Sequence, residues 1–146
     1  MLNKFMSIAL EEAKNCKKDV PIGALIVWNN EIISLKTNKR EKNNQTIAHA
    51  EILAINEANK KFNSWRLSEC DIYVTLEPCP MCAWAIINAR FKNVYFGSYD
   101  LKYGAFGSAI DLSKLVNSKI NIKGGILESE CNQLLKNYFE SLRNEK

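Results

Sequence analysis

A chain of 146 residues, 47% hydrophobic and 25% charged, has an ordinary soluble make-up and is long enough to bury one good core but not two. Its formal net charge of +4 permits contact with nucleic acid without requiring it. The longest apolar runs, 23–28 and 83–87, fall far short of a membrane span.

In chain order, Leu2, Phe5, Met6, Ala9, Leu10 and Ala13 recur at helical spacing and predict an amphipathic helix over 3–16. Glu11 and Glu12 interrupt this stretch, so it lacks the long apolar segment of a signal peptide and a cytoplasmic protein is expected. After Asp19-Val20-Pro21, "IGALIVW" and "EIISLKT" flank Asn29-Asn30 and read as a hairpin with a tight turn. The polar stretch 38–46 is expected to be a loop. Ile52, Leu53, Ile55 and Ala58 mark a second helix within 47–62. "DIYVTL" (71–76) reads as a buried strand, and "PMCAWAIINAR" (80–90) as a helix with proline in its first turn. A strand at 93–98, a glycine-rich loop at 99–109, a short helix at 110–116, a strand within 119–126 and a helix at 128–143 complete the chain. No repeat, low-complexity tract or linker divides it. Strands alternating with helices indicate an α/β sheet in layers, expected as one domain spanning 1–146.

Five cysteines (16, 70, 79, 82 and 131) are an odd number, which argues against a disulfide framework. Cys79 and Cys82 form a Cys-x-x-Cys at a helix start, which by itself fits a redox pair, two small core residues or half of a metal site. The context is His49, the sole histidine, with Glu51 two residues on in "AHAEI". Positions two apart diverge on a helix body, but at a helix end both reach a site beyond the terminus. If the second and third strands run parallel, the helices after them begin at one sheet edge, where open α/β folds place their sites. Helix N-termini favour thiolates, and thiolate with imidazole suits zinc. Cys70 precedes a strand that carries Cys79 away at about 3.3 Å per residue. Cys16 and Cys131 lie on other helices. Three protein ligands and an open position mark a catalytic zinc site.

"HAE" followed by "PCPMC" resembles the zinc-dependent nucleoside and nucleobase deaminases of the cytidine/deoxycytidylate deaminase superfamily. More narrowly, "VPIGALIV" (20–27), "TNKRE" (37–41), "AHAEILAI" (48–55), "YVTLEPCPMCA" (73–83), "NARFKNVYFGSYDLKYGAFGS" (88–108) and "GGILESECNQLL" (124–135) resemble the bacterial tRNA-specific adenosine deaminases over nearly the whole chain. The resemblance implies a cytidine-deaminase-like, three-layer α/β/α fold with a central five-stranded mixed sheet. It also implies one Zn2+ per subunit held by His49, Cys79 and Cys82, with Glu51 as the proton shuttle. Among substrate contacts, Asn38 would hydrogen-bond the purine ring, Ile22 and Ala50 would line the base pocket, and Asp100 and Lys102 would lie against flanking nucleotides. Glu77 would be structural. The implied reaction is hydrolytic conversion of adenosine to inosine at the wobble position of a tRNA anticodon stem-loop, by a homodimer with no membrane partner. The chain departs from the family at Trp84, where relatives carry glycine in a helix that packs in the dimer interface. Two other readings stand beside this one: a deaminase of free guanine, cytosine or a nucleoside, and a non-catalytic zinc RNA-binding module. The loop 97–108 speaks against the first and Glu51 against the second.

Overall fold

The computed structural model describes residues 1–145. Its elements are α1 (Leu2–Ala13), β1 (Gly23–Trp28), β2 (Glu31–Thr37), α2 (Arg40–Asn43), α3 (Ala50–Phe62), β3 (Cys70–Leu76), α4 (Pro80–Asn88), β4 (Asn93–Ser98), α5 (Leu112–Leu115), β5 (Asn121–Lys123) and α6 (Glu128–Asn144). The five strands form one mixed sheet in the order β2-β1-β3-β4-β5, as expected.

Strand periodicity divides the core in two, because successive side chains point to opposite faces. Ala24 and Ile26, Ile72 and Val74, and Val94 and Phe96 pack with α3 and α4 residues such as Ala54 and Ile86. The intervening Leu25, Val27, Tyr73 and Tyr95 meet α1 through Phe5, Met6, Ala9 and Leu10, and α6 through Cys131. The sheet is therefore the middle layer of three.

β1 is antiparallel to both β2 and β3, whereas β3, β4 and β5 run parallel. β2 and β3 thus point the same way although β1 separates them, and the helices that follow both start from one edge of the sheet. The hairpin between β1 and β2 turns at Asn29 and Asn30, with φ of 49° and 66°. Positive φ at both central residues gives the turn a twist that matches the strands, and asparagine tolerates that conformation.

Several expected boundaries move, three of them for reasons visible in the hydrogen bonding and backbone. α1 stops at Ala13, and the chain to Cys16 tightens into i→i+3 bonds, Lys14 N to Glu11 O at 3.2 Å and Cys16 N to Ala13 O at 3.1 Å. The stretch 38–46 contains α2, because the buried Asp19 carboxylate accepts the Glu41 and Lys42 amides, the latter at 3.2 Å. An aspartate far away in sequence thus caps a helix that its own residues do not announce. The final strand shrinks to 121–123. Ile126 N still reaches Phe96 O at 3.1 Å, but Gly125 takes φ of +82° and breaks the regular pairing.

Candidate metal centre and catalytic cavity

α3 begins after His49 and α4 after Cys79, each of which is the N-cap residue in extended geometry without a side-chain cap bond. Ser, Thr, Asp or Asn would cap better. Here both side chains turn instead toward one another at the shared sheet edge. His49 Nδ1 stands 3.5 Å from Cys82 Sγ and 3.7 Å from Cys79 Sγ. The three ligand atoms all lie within 4.8 Å of one another.

The spacing and donor set fit zinc. Bonds of about 2.3 Å to sulfur and about 2.0–2.1 Å to nitrogen at a tetrahedral angle require an S···N edge of about 3.6 Å. The other three cysteines stand apart from this cluster. Cys16 is half-buried with Sγ 3.6 Å from Asn38 O, Cys70 opens β3, and Cys131 lies buried against Gly97.

Electrostatics prepare one donor of the group, Cys79, to meet a cation as a thiolate. The neighbouring Cys82 thiol and the His49 ring bring Cys79 down to about 4, while the proximity of Cys79 and deep burial push Cys82 well up. The bond to Cys79 also raises His49 above its ordinary range. One sulfur is thus a thiolate, and a bound cation would displace the remaining thiol proton.

Glu51 sits in the first turn of α3, 5% exposed. Burial raises its carboxyl to about 7, because desolvation penalises the charged form. A carboxyl that titrates near neutrality can both accept and return a proton.

A cavity of about 360 Å³ opens at this point, lined by Ile22, Arg40, His49, Glu51, Leu76, Glu77, Cys79, Asp100 and Tyr103. That volume lies in the range of small-ligand sites. Of the residues expected at the substrate, Ile22 and Asp100 line it, and Asn38 and Lys102 do not. Asn38 lines a neighbouring cavity of about 450 Å³, and its amide is engaged with Val20 O and Arg40 N, each at 3.3 Å. To bond a purine it would give up those contacts. Lys102 is exposed, with its Nζ 5.2 Å from the Tyr103 ring centroid. The Ala50 side chain is buried in the core beneath α3, so what it offers outward is a backbone N–H in the helix's first turn.

Glu77 has a defined structural task. Only 2% exposed, its carboxylate accepts Asp100 N at 3.1 Å, Phe106 N at 3.0 Å, Ser108 N at 3.2 Å and Ser108 Oγ at 2.5 Å. One buried anion thereby ties down the loop after β4. Gly104 completes the arrangement, since a Cβ there would lie 2.4 Å from both Asp100 O and the Glu77 carboxyl carbon.

Arg40 and Tyr103 were not read from the sequence as site residues. Arg40 belongs to the unannounced α2, and Tyr103 reaches the cavity through the folding of its loop on Glu77. Neither carries a spacing pattern that could have found it.

Comparison with known proteins gives a consistent picture. Residues 2–143 match the family model of the MafB19-like deaminases. The tRNA-specific adenosine deaminase of Bacillus subtilis (strain 168) is 44% identical over 146 residues, covering 97% of this chain and 91% of that protein. A solved structure from studies of A-to-I editing by tRNA:A34 deaminases at the wobble position superposes with a TM-score of 0.83 at 36% identity, covering 90% of this chain and 98% of the other. A Bacillus subtilis guanine deaminase is also 36% identical, but with a TM-score of 0.63 over 66% of this chain and 63% of that one.

Proposed function

We propose that this chain, which belongs to the family of tRNA-specific adenosine deaminases, hydrolyses adenosine to inosine at the wobble position of a tRNA anticodon. The observation that carries the reading is the His49–Cys79–Cys82 tripod with the buried Glu51 lining the same cavity. We assign zinc to the tripod, one ion per chain. When bound, zinc supplies the Lewis acidity that makes water a nucleophile near neutral pH.

The chain's own groups do the rest. Glu51 takes a proton from water and delivers it to N1 of the purine as oxygen adds to C6. The proton of the new hydroxyl then passes through Glu51 to the amine, which leaves as ammonia while C6 becomes a carbonyl. Ile22 offers an apolar wall for the base and Ala50 a backbone N–H. Arg40 and Asp100, which line the cavity, and Lys102 beside them are assigned to flanking nucleotides and phosphates, and Asn38 would reach the purine ring by exchanging its bonds to Val20 and Arg40. The target base must leave its stack to enter the cavity, so an anticodon loop is an easier substrate than a duplex. We assign the enzyme to the cytoplasm on the strength of the proposed tRNA substrate. Among the described residues no helix is long and apolar enough to cross a membrane.

Purified protein incubated separately with tRNA and with free guanine, cytosine and adenosine decides the substrate. Inosine and ammonia should form from tRNA. Ammonia from free bases alone would move the assignment to the small-molecule reading, for which the likeness to the guanine deaminase is the motive.

We also assign a homodimer. Trp84 on α4 is 47% exposed, and the end of the adjoining α5 exposes Leu115 at 72%, followed by Val116 at 42%. A large indole left in solvent next to apolar neighbours has the profile of an interface anchor. Light scattering at micromolar concentration should give twice the chain mass, and Trp84→Asp should shift the protein toward monomer. A monomeric wild type would reduce Trp84 to an exposed surface residue.

A further inference from the structure

We propose that Tyr103 is a stacking platform for one RNA base adjoining the target adenosine, and so determines specificity at the cavity mouth. This rests on the tRNA reading above. Tyr103 lines the same cavity as His49, Glu51 and Cys79, yet 57% of it remains exposed. It therefore borders the space for the target base and also presents surface outside it.

The rest of its loop explains why such a ring is useful where it is. Its backbone N donates to Asp100 Oδ1 at 3.0 Å, Lys102 N reaches the same oxygen at 3.1 Å, and Gly104 N donates to Asp100 O at 2.8 Å. Glu77 holds this turn from below through Asp100 N, Phe106 N and Ser108. The ring is carried on a tied backbone, so little backbone freedom remains to be lost when a base stacks on it.

The loop's other tyrosine is committed elsewhere. Tyr99 packs edge-on against Phe96, with centroids 5.1 Å apart, whereas among the described residues Tyr103 pairs with no aromatic ring and has the Lys102 ammonium 5.2 Å from its centroid. That ammonium is positioned to accompany the phosphate of a stacked nucleotide. Base–aromatic stacking tolerates any base, because every base has a π face. A substrate no larger than one nucleoside would fill the cavity without reaching the outer ring surface, so the platform favours an RNA chain over a free base.

The test uses zinc-loaded protein with an anticodon stem-loop RNA, and with the same stem-loop made abasic at each nucleotide flanking the adenosine in turn. Tyr103→Ala should raise KM by about 5- to 100-fold with kcat little changed, and Tyr103→Phe should stay near wild type. One abasic position should raise the wild-type KM by a similar factor and add nothing in Tyr103→Ala. A KM for Tyr103→Ala within twofold of wild type would overturn the proposal. So would an equal loss in Tyr103→Phe, which would assign the effect to the hydroxyl, or abasic and alanine effects that simply multiply. A wild type that deaminates free bases and leaves every stem-loop untouched overturns the tRNA reading and the platform together. That result is visible before any variant is compared.

Discussion

Glu51→Gln should retain zinc and RNA and deaminate at least about 10²-fold more slowly than wild type, the loss typical of removing a general acid–base group. Glutamine matches glutamate in size and can still hydrogen-bond, so the buried position in the first turn of α3 stays filled. It cannot accept a proton from water. The native carboxyl, raised to about 7 by burial, is balanced between its two forms at neutral pH, which suits a group that must accept and return the same proton. The measurement is inosine at the wobble adenosine, read by sequencing, with zinc content determined on the same preparation. Near wild-type turnover in zinc-loaded Glu51→Gln would remove Glu51 from proton transfer. Loss of zinc together with activity would make it a ligand or a structural residue.

Cys79→Ala and Cys82→Ala should each take the protein from one zinc per chain to well below stoichiometric content and abolish deamination. Removing either sulfur leaves two donors, too few for a catalytic site of three protein ligands and an open position. The variants should differ in stability. Cys82 is completely buried and Cys79 is half-buried, so Cys82→Ala also leaves a void beneath α4, whereas Cys79→Ala chiefly removes a thiolate. Elemental analysis beside a thermal melt separates the two effects. Stoichiometric zinc in both variants would overturn the assignment of the tripod.

The three residues that could hold a metal were legible because they are anomalies in a sequence. A lone histidine stands before one helix and a cysteine before another, at positions where a capping side chain would ordinarily serve. The pattern of strands and helices was legible for a different reason. Short unbroken apolar runs at 23–28 and 72–74, bounded by polar and turn residues, read as buried strands, and apolar residues recur every three to four along α1. The turn at Asn29-Asn30 was readable from residue type, and its two positive φ values are what that type accommodates.

Other features had no local signature. α2 is held by Asp19, more than twenty positions earlier, which accepts the Glu41 and Lys42 amides of its first turn, and no short window along the chain contains both partners. Glu77 could be recognised as structural by resemblance, but its four bonds to the loop after β4 exist only once β3 and β4 lie side by side. Those bonds place Tyr103 at the cavity. Likewise, helical apolarity alone left Trp84 equally able to be core or surface, and the packing of α4 on the sheet turns it half outward.

By itself, then, the sequence determined a candidate donor set, a proton-shuttle candidate and the alternation of strands and helices, because ligand chemistry belongs to residue types and local pattern to neighbours along the chain. The tertiary structure alone decided that β2 and β3 point the same way across an antiparallel β1, and so that His49 and Cys79 emerge at one edge. It also decided which polar groups are already engaged, as for Asn38, and which side chains remain free to meet a substrate, as for Tyr103. The physical reason is that burial and hydrogen-bond partnership are set by residues distant in sequence, and a side chain's chemistry becomes available for function only where folding leaves it unsatisfied.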